Sequence, residues 1–153
     1  MPDNKRSTIP RLFFTKDEIA KISEAISLAE MNTQGELRVH IERKSNGDPL
    51  ARARDLLKEL GIHETVNRTG LLIYITLEDQ QLAIFGDEGI HKVFRQDGWN
   101  ALANELSEHF KQGQFVDGLL KVIRKIGEIL SQTFPALPKN VNEIPNEPTF
   151  GNE

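Results

Sequence analysis

The stretch Gly70-Leu71-Leu72-Ile73-Tyr74-Ile75-Thr76-Leu77 is a near-continuous apolar run. That is the pattern of a strand covered on both faces, and it belongs at the centre of a sheet. Upstream, Glu36-Leu37-Arg38-Val39-His40-Ile41-Glu42 alternates strictly, which places Leu37, Val39 and Ile41 on the core face of a second strand. Between the two, Asp48 as cap and Pro49 at the first helical position open a helix that carries Leu50, Ala53, Leu56, Leu57 and Leu60 and stops at Gly61. Strands joined by a helical crossover are expected to be parallel, with a right-handed connection. Glu78-Asp79-Gln80 is short and polar, so Gln81 to Gly86 is expected to return antiparallel as a hairpin partner. The reading is an α/β chain with a small mixed sheet of three to four strands.

Helices account for the rest. Thr15 with Glu18 forms a capping box, and Phe14 against Ile19 a hydrophobic staple, for a helix running to about Met31. Ile90, Val93 and Phe94 suggest a short helix; Trp99, Leu102, Ala103, Leu106 and Phe110 mark a longer one ending at Gly113. A last helix spans roughly residues 115–133 and is apolar enough to lie against the sheet. Trp99, Phe110 and Phe115 stand at core spacing, not as a base-stacking platform. Four of the seven prolines follow, at 135, 138, 145 and 148, and predict an extended or disordered tail. The chain therefore divides into an arm (1–13), one α/β domain (14–134) and the tail (135–153).

Composition bounds the function. The 153 residues are 38% hydrophobic and 27% charged, with no cysteine and a net charge of -4. A chain of this length buries about two thirds of its unfolded surface and needs neither disulfide nor structural metal. Without Cys there is no thiol nucleophile, iron–sulfur cluster or thiolate zinc site. With 19 basic residues against 23 acidic ones, no nucleic-acid partner is expected. The longest apolar run, Leu71 to Ile75, falls far short of the roughly 18 residues a membrane span needs. Lys16-Asp17-Glu18 soon follow Phe13-Phe14, so no signal-peptide apolar region is read and a cytoplasmic location is expected.

Four segments carry a family resemblance: Thr33-Gln34-Gly35-Glu36-Leu37; Asn67-Arg68-Thr69-Gly70-Leu71-Leu72-Ile73; Gly86-Asp87-Glu88-Gly89-Ile90 followed by Asp97; and His109 to Leu119. In order and spacing, over about residues 14–130, the chain resembles the TPM-domain family. The resemblance implies a three-layer α/β/α sandwich, divalent-metal binding in some members, and acid phosphatase activity, as claimed for a plant relative. Gln34 stands where the family usually has Gly, and the longer loop leaves Asp97 about one place off the family acid. The sequence looks like a branch without the signal peptide and membrane anchor of many relatives.

Topology makes its own prediction. With the first two strands parallel and the third reversed, residues 33–36, 67–70 and 86–89 share one pole of the sheet. Glu36, Asp87, Glu88 and Asp97 are candidate metal ligands there, beside Gln34 and Asn67, with Arg68 a candidate phosphate clamp. Such an oxygen cluster suits a hard cation, calcium in preference to magnesium, and no organic cofactor is expected. Equally, Asp97 reads as a helix cap, Glu88 as a first-turn acid, Gly86 and Gly89 as turn formers, and Glu36 as a solvent-facing strand residue. Of the four histidines, His40 reads as solvated, His109 as a helix residue, and His91 as nearest the pole; none has short metal spacing. Phosphatase chemistry needs a nucleophile or activated water, and the chain lacks a Cys-Arg loop, a strand-end Asp-x-Asp or an Arg-His-Gly. Two functions stay open: a domain that binds a divalent metal or a protein partner at an acidic pole without efficient catalysis, or a metal-assisted hydrolase of phosphomonoesters.

Overall fold

Thr15 caps helix α2 (Lys16–Glu30) through the full capping box, accepting from Glu18 N while the Glu18 carboxylate accepts from Thr15 N. It is preceded by a short helix, α1 (Pro10–Phe13), which the sequence did not announce. The computed structural model describes residues 6–65, 67–136 and 147–151. Within them, β1 (Glu36–Glu42) is followed by α3 (Pro49–Glu59), a 3-10 turn (Ile62–Glu64), β2 (Gly70–Thr76) and β3 (Leu82–Gly86). Then come α4 (Glu88–His91), α5 (Gln96–Lys111), α6 (Phe115–Thr133) and β4 (Thr149–Gly151).

The sheet order is β3-β2-β1-β4. As expected, β1 and β2 are parallel along their whole length, with Glu36 opposite Gly70 and Glu42 opposite Thr76, and β3 returns antiparallel on β2. Helices α2, α5 and α6 cover one face, where Leu37, Val39, Ile41, Leu71, Ile73, Ile75 and Ile84 meet Ile22, Trp99, Leu106, Ile123 and Ile126. Helix α3 covers the other, packing Ala53, Leu56 and Leu57 on Leu72, Tyr74 and Ala83. This is the three-layer sandwich. Trp99 and Phe115 are buried as expected, and Phe110 is half-buried.

Part of the proline-rich segment is a strand: β4 pairs parallel with β1, with His40 opposite Thr149. Phe150 packs on the larger core. Three residues behind a proline carry too little pattern to announce a strand. The remainder of the predicted tail, 137–146 and 152–153, lies outside the described residues. The arm is held by Arg6, which pairs with Glu18 at 2.6 Å, donates to Phe13 O, and lies over the Phe13, Phe14 and Phe115 rings.

Candidate functional site

At the pole where β1 and β2 begin and β3 ends, backbone bonds tie the segments together. Glu36 N donates to Thr69 O, Asp87 N to Gly70 O, and Gly89 N to Arg68 O. Asn67 Nδ2 donates to Gln34 Oε1 at 2.6 Å, and Thr69 Oγ1 to Gln34 O. Arg68 sits in the left-handed backbone region (φ 55°), a conformation that costs a non-glycine residue free energy and persists only when its surroundings hold it.

What holds it is an ion cluster. Arg68 Nε and Nη2 donate to the two Asp87 oxygens at 2.6 and 2.7 Å, and Nη1 lies 3.0 Å from Glu88. Asp87, almost fully buried, also caps α4 by accepting from Glu88 N. The bidentate fork matches guanidinium to carboxylate in one plane, and the Asp87 hydrogen bonds hold the Arg68 guanidinium above its ordinary pKa. The structure thus brings Gln34, Asn67, Arg68, Asp87 and Glu88 together.

It does not bring the other two acids to them. Glu36 is not a solvent-facing strand residue: it is buried beside Glu30. Burial pushes Glu30 up to about 9, and the Glu36 carboxyl adds to the effect, so Glu30 stays protonated at neutral pH and shares a hydrogen bond with Glu36. Glu30 Oε2 also accepts from Leu37 N. Asp97 is exposed in the first turn of α5, whose cap position is Arg95, so Asp97 is not the cap. Among the described residues no three acidic or histidine side chains gather where they could hold a metal ion. Calcium needs six to eight oxygens, whereas Asp87 and Glu88 are committed to Arg68 and Glu36 to Glu30. The donor set does not fit a calcium cage.

A cavity of about 340 Å³ opens beside Arg68, between α3, the 3-10 turn, the end of β3 and α4. Leu57 and Phe85 give it apolar walls; Arg54, Lys58, His63 and His91 surround them together with Arg68, Asp87 and Glu88. Among the described residues Arg54 has only a loose contact with its neighbour Asp55, at 3.6 Å and exposed. Arg68 offsets one of the two acidic charges, and Arg54 and Lys58 bring two more cations to the lining, so the cavity carries more cationic than acidic side chains. The nearby hydroxyls are occupied, Thr65 Oγ1 accepting from Thr69 N and Thr69 Oγ1 donating to Gln34.

One buried polar group escaped the sequence reading. His40 is 3% exposed, not solvated. It stacks on Tyr74, bonds Glu42 through Nε2 and Thr149 through Nδ1. Glu42 accepts from Tyr74 Oη at 2.7 Å and from Arg52 Nε and Nη2. Burial alone would raise Glu42, but the bonds from Arg52, Tyr74 and His40 outweigh it and hold the carboxyl low; burial lowers His40 despite Glu42. The cover of His40 comes from Tyr74 of β2, Thr149 of β4 and the Arg52–Glu42 pair, and the three-residue β4 gave the sequence no period from which to read it.

A single α/β sandwich with this strand order and this polar strand-start pole defines the class of protein. The TPM domain profile matches residues 10–129, and the chain belongs to the TPM domain family. It is similar to the BA42 protein of the psychrophilic bacterium Bizionia argentinensis, seen by NMR, with a TM-score of 0.83, 40% identity, and coverage of 91% of this chain and 96% of that one. The N-terminal domain of the cg2496 protein of Corynebacterium glutamicum (TM-score 0.62, 17% identity, 84% and 80% covered) shares the fold. So does an N-terminal domain from P. gingivalis (TM-score 0.66, 14% identity, 79% and 78% covered). No curated protein matches the chain. Among the described residues no helix is long and apolar enough to cross a membrane.

Proposed function

We propose that this TPM domain is a non-catalytic binding module that takes an acidic segment of a protein partner at the cavity beside Arg68. The observation that carries this reading is the division of labour in the cavity wall. Asp87 and Glu88 are spent on Arg68, which leaves Arg54 and Lys58 as the cations around the apolar Leu57 and Phe85, with the His63 and His91 rings beside them. An apolar floor excludes water, while the surrounding cations select acidic side chains and speed their approach.

The test is fluorescence anisotropy with a short oligoglutamate peptide that carries one phenylalanine. Saturable binding that weakens with salt, and at least tenfold in Arg54→Glu, Lys58→Glu, is the expected result, tenfold being about 1.4 kcal/mol. Binding that ignores both salt and the charge reversal contradicts it.

Metal-assisted hydrolysis of phosphomonoesters is the second reading, and the cations at the cavity favour it, since phosphoryl oxygens suit the same charges. It still requires an activated water or a nucleophile, and the threonine hydroxyls of the pole are engaged. Calcium- or magnesium-dependent turnover of p-nitrophenyl phosphate that vanishes in Asp87→Asn, Glu88→Gln would establish the enzyme in place of the binding module. Turnover that survives the double substitution is contamination.

A further inference from the structure

The opposite pole of the sheet, where β2 ends and β3 begins, holds a second cavity of about 310 Å³ that the peptide reading does not use. Its walls are apolar: Phe13 from α1, Leu77 and Leu82 from the two strands, Phe110 from α5 and Phe115 from α6. The three rings form one cluster, with centroids 5.0 to 6.5 Å apart in edge and stacked pairs.

The polar groups of the lining are all neutral or cationic. Ser107 and Lys111 lie one helical turn apart on α5, and Gln80 lines the cavity from the β2–β3 turn. Among the described residues no acidic side chain lines it. Thr76 is committed, its hydroxyl bonded to both backbone groups of Gln81. The Ser107 hydroxyl and the Gln80 amide make no hydrogen bond among the described residues, and Lys111 has only a long, exposed contact with Glu108, at 3.4 Å. An apolar chamber whose charged lining group is a cation, with a hydroxyl and an amide able to donate beside it, is complementary to an amphiphile with one anionic head.

We infer that this cavity binds a small carboxylic acid, its chain against Phe13, Phe110 and Phe115 and its carboxylate at Ser107, Gln80 and Lys111. A dry cavity of about 150 Å³ admits benzene, so roughly twice that volume suits about a dozen non-hydrogen atoms, the size of a medium-chain fatty acid.

Titration calorimetry of the full chain with decanoate, decanol and decylamine tests the assignment. Decanoate should bind one to one and decylamine should not. Lys111→Met should weaken decanoate at least tenfold and leave decanol unchanged, and Ser107→Phe, which fills the chamber, should abolish both. Circular dichroism reports whether Ser107→Phe folds; if it does not, the exposed Lys111→Met decides alone. Equal binding of decylamine and decanoate, no binding of decanoate, or decanoate affinity unmoved by Lys111→Met would overturn the inference. None of these outcomes bears on the peptide reading, which concerns the other pole.

Discussion

Arg68 supplies the positive charge between the acids of this pole: one guanidinium, in a left-handed backbone conformation, holding two carboxylates of the loop after β3. Asp87 and Glu88 are legible in the sequence as acids of that loop, and Arg68 as their neighbour across the pole. That they would satisfy one another is not legible, because it depends on the rotamer of one arginine. Glu30 is the clearest case of a residue whose environment inverts its chemistry. Between its ordinary value of 4.5 and about 9, folded Glu30 holds a proton that the unfolded chain has released. Stability therefore falls as pH rises through that window. Glu30→Gln keeps a neutral donor and acceptor beside Glu36 and Leu37 N, and should flatten the fall, by roughly 2 kcal/mol between pH 5 and 7, in urea unfolding across a pH series. An unchanged slope would mean that Glu30 is ionised in the fold. His40 works in the opposite direction: held low by burial, it withdraws stability as pH falls below 6.5, where only the unfolded imidazole charges.

Helix α4 is four residues long and stays in place because its second residue has no side chain. A Cβ on Gly89 would stand 2.2 Å from Asn67 O and 2.7 Å from Arg68 O, against the backbone turn it bonds. Gly89 was read as a turn former; close approach, not a positive φ, is what the position demands. Gly89→Ala should cost about 1–3 kcal/mol by overpacking and push Asp87 away from Arg68, measurable as a lowered denaturation midpoint with an unchanged slope. A neutral effect would show that α4 is free to shift. Patterns of period 2 and 3.6 were enough to place β1, β2, β3 and the long helices, because each buries a face whose alternation is written in the chain. Short elements escaped that logic. The four residues of α1 and the three of β4 hold too few periods, and they form because Arg6 clamps the arm and β1 offers an open edge.

Across the whole molecule, the parallel pair and its returning hairpin divide the chemistry between two ends of one sheet. One end carries the Arg68 cluster and a cationic cavity over Leu57 and Phe85; the other carries the aromatic chamber closed by the N-terminal arm. Topology from sequence alone located the first end, since the starts of two parallel strands and the end of an antiparallel one must meet. It could not separate Glu36 and Asp97 from the others, because side-chain direction at a strand start and helix phase after a loop are settled by packing with Glu30 and by the first turn of α5. The net charge of -4 sets the cationic cavity apart from the rest of the surface, as electrostatic steering of an acidic partner requires. Amide chemical-shift mapping of the full chain against the oligoglutamate peptide and against calcium tests this account most directly. Saturable shifts confined to residues 54–58, 63, 68 and 85–91 with the peptide, and none there with calcium, are predicted. Calcium-induced shifts at Arg68, Asp87 and Glu88, with no response to the peptide, would contradict it and return the pole to a cation site.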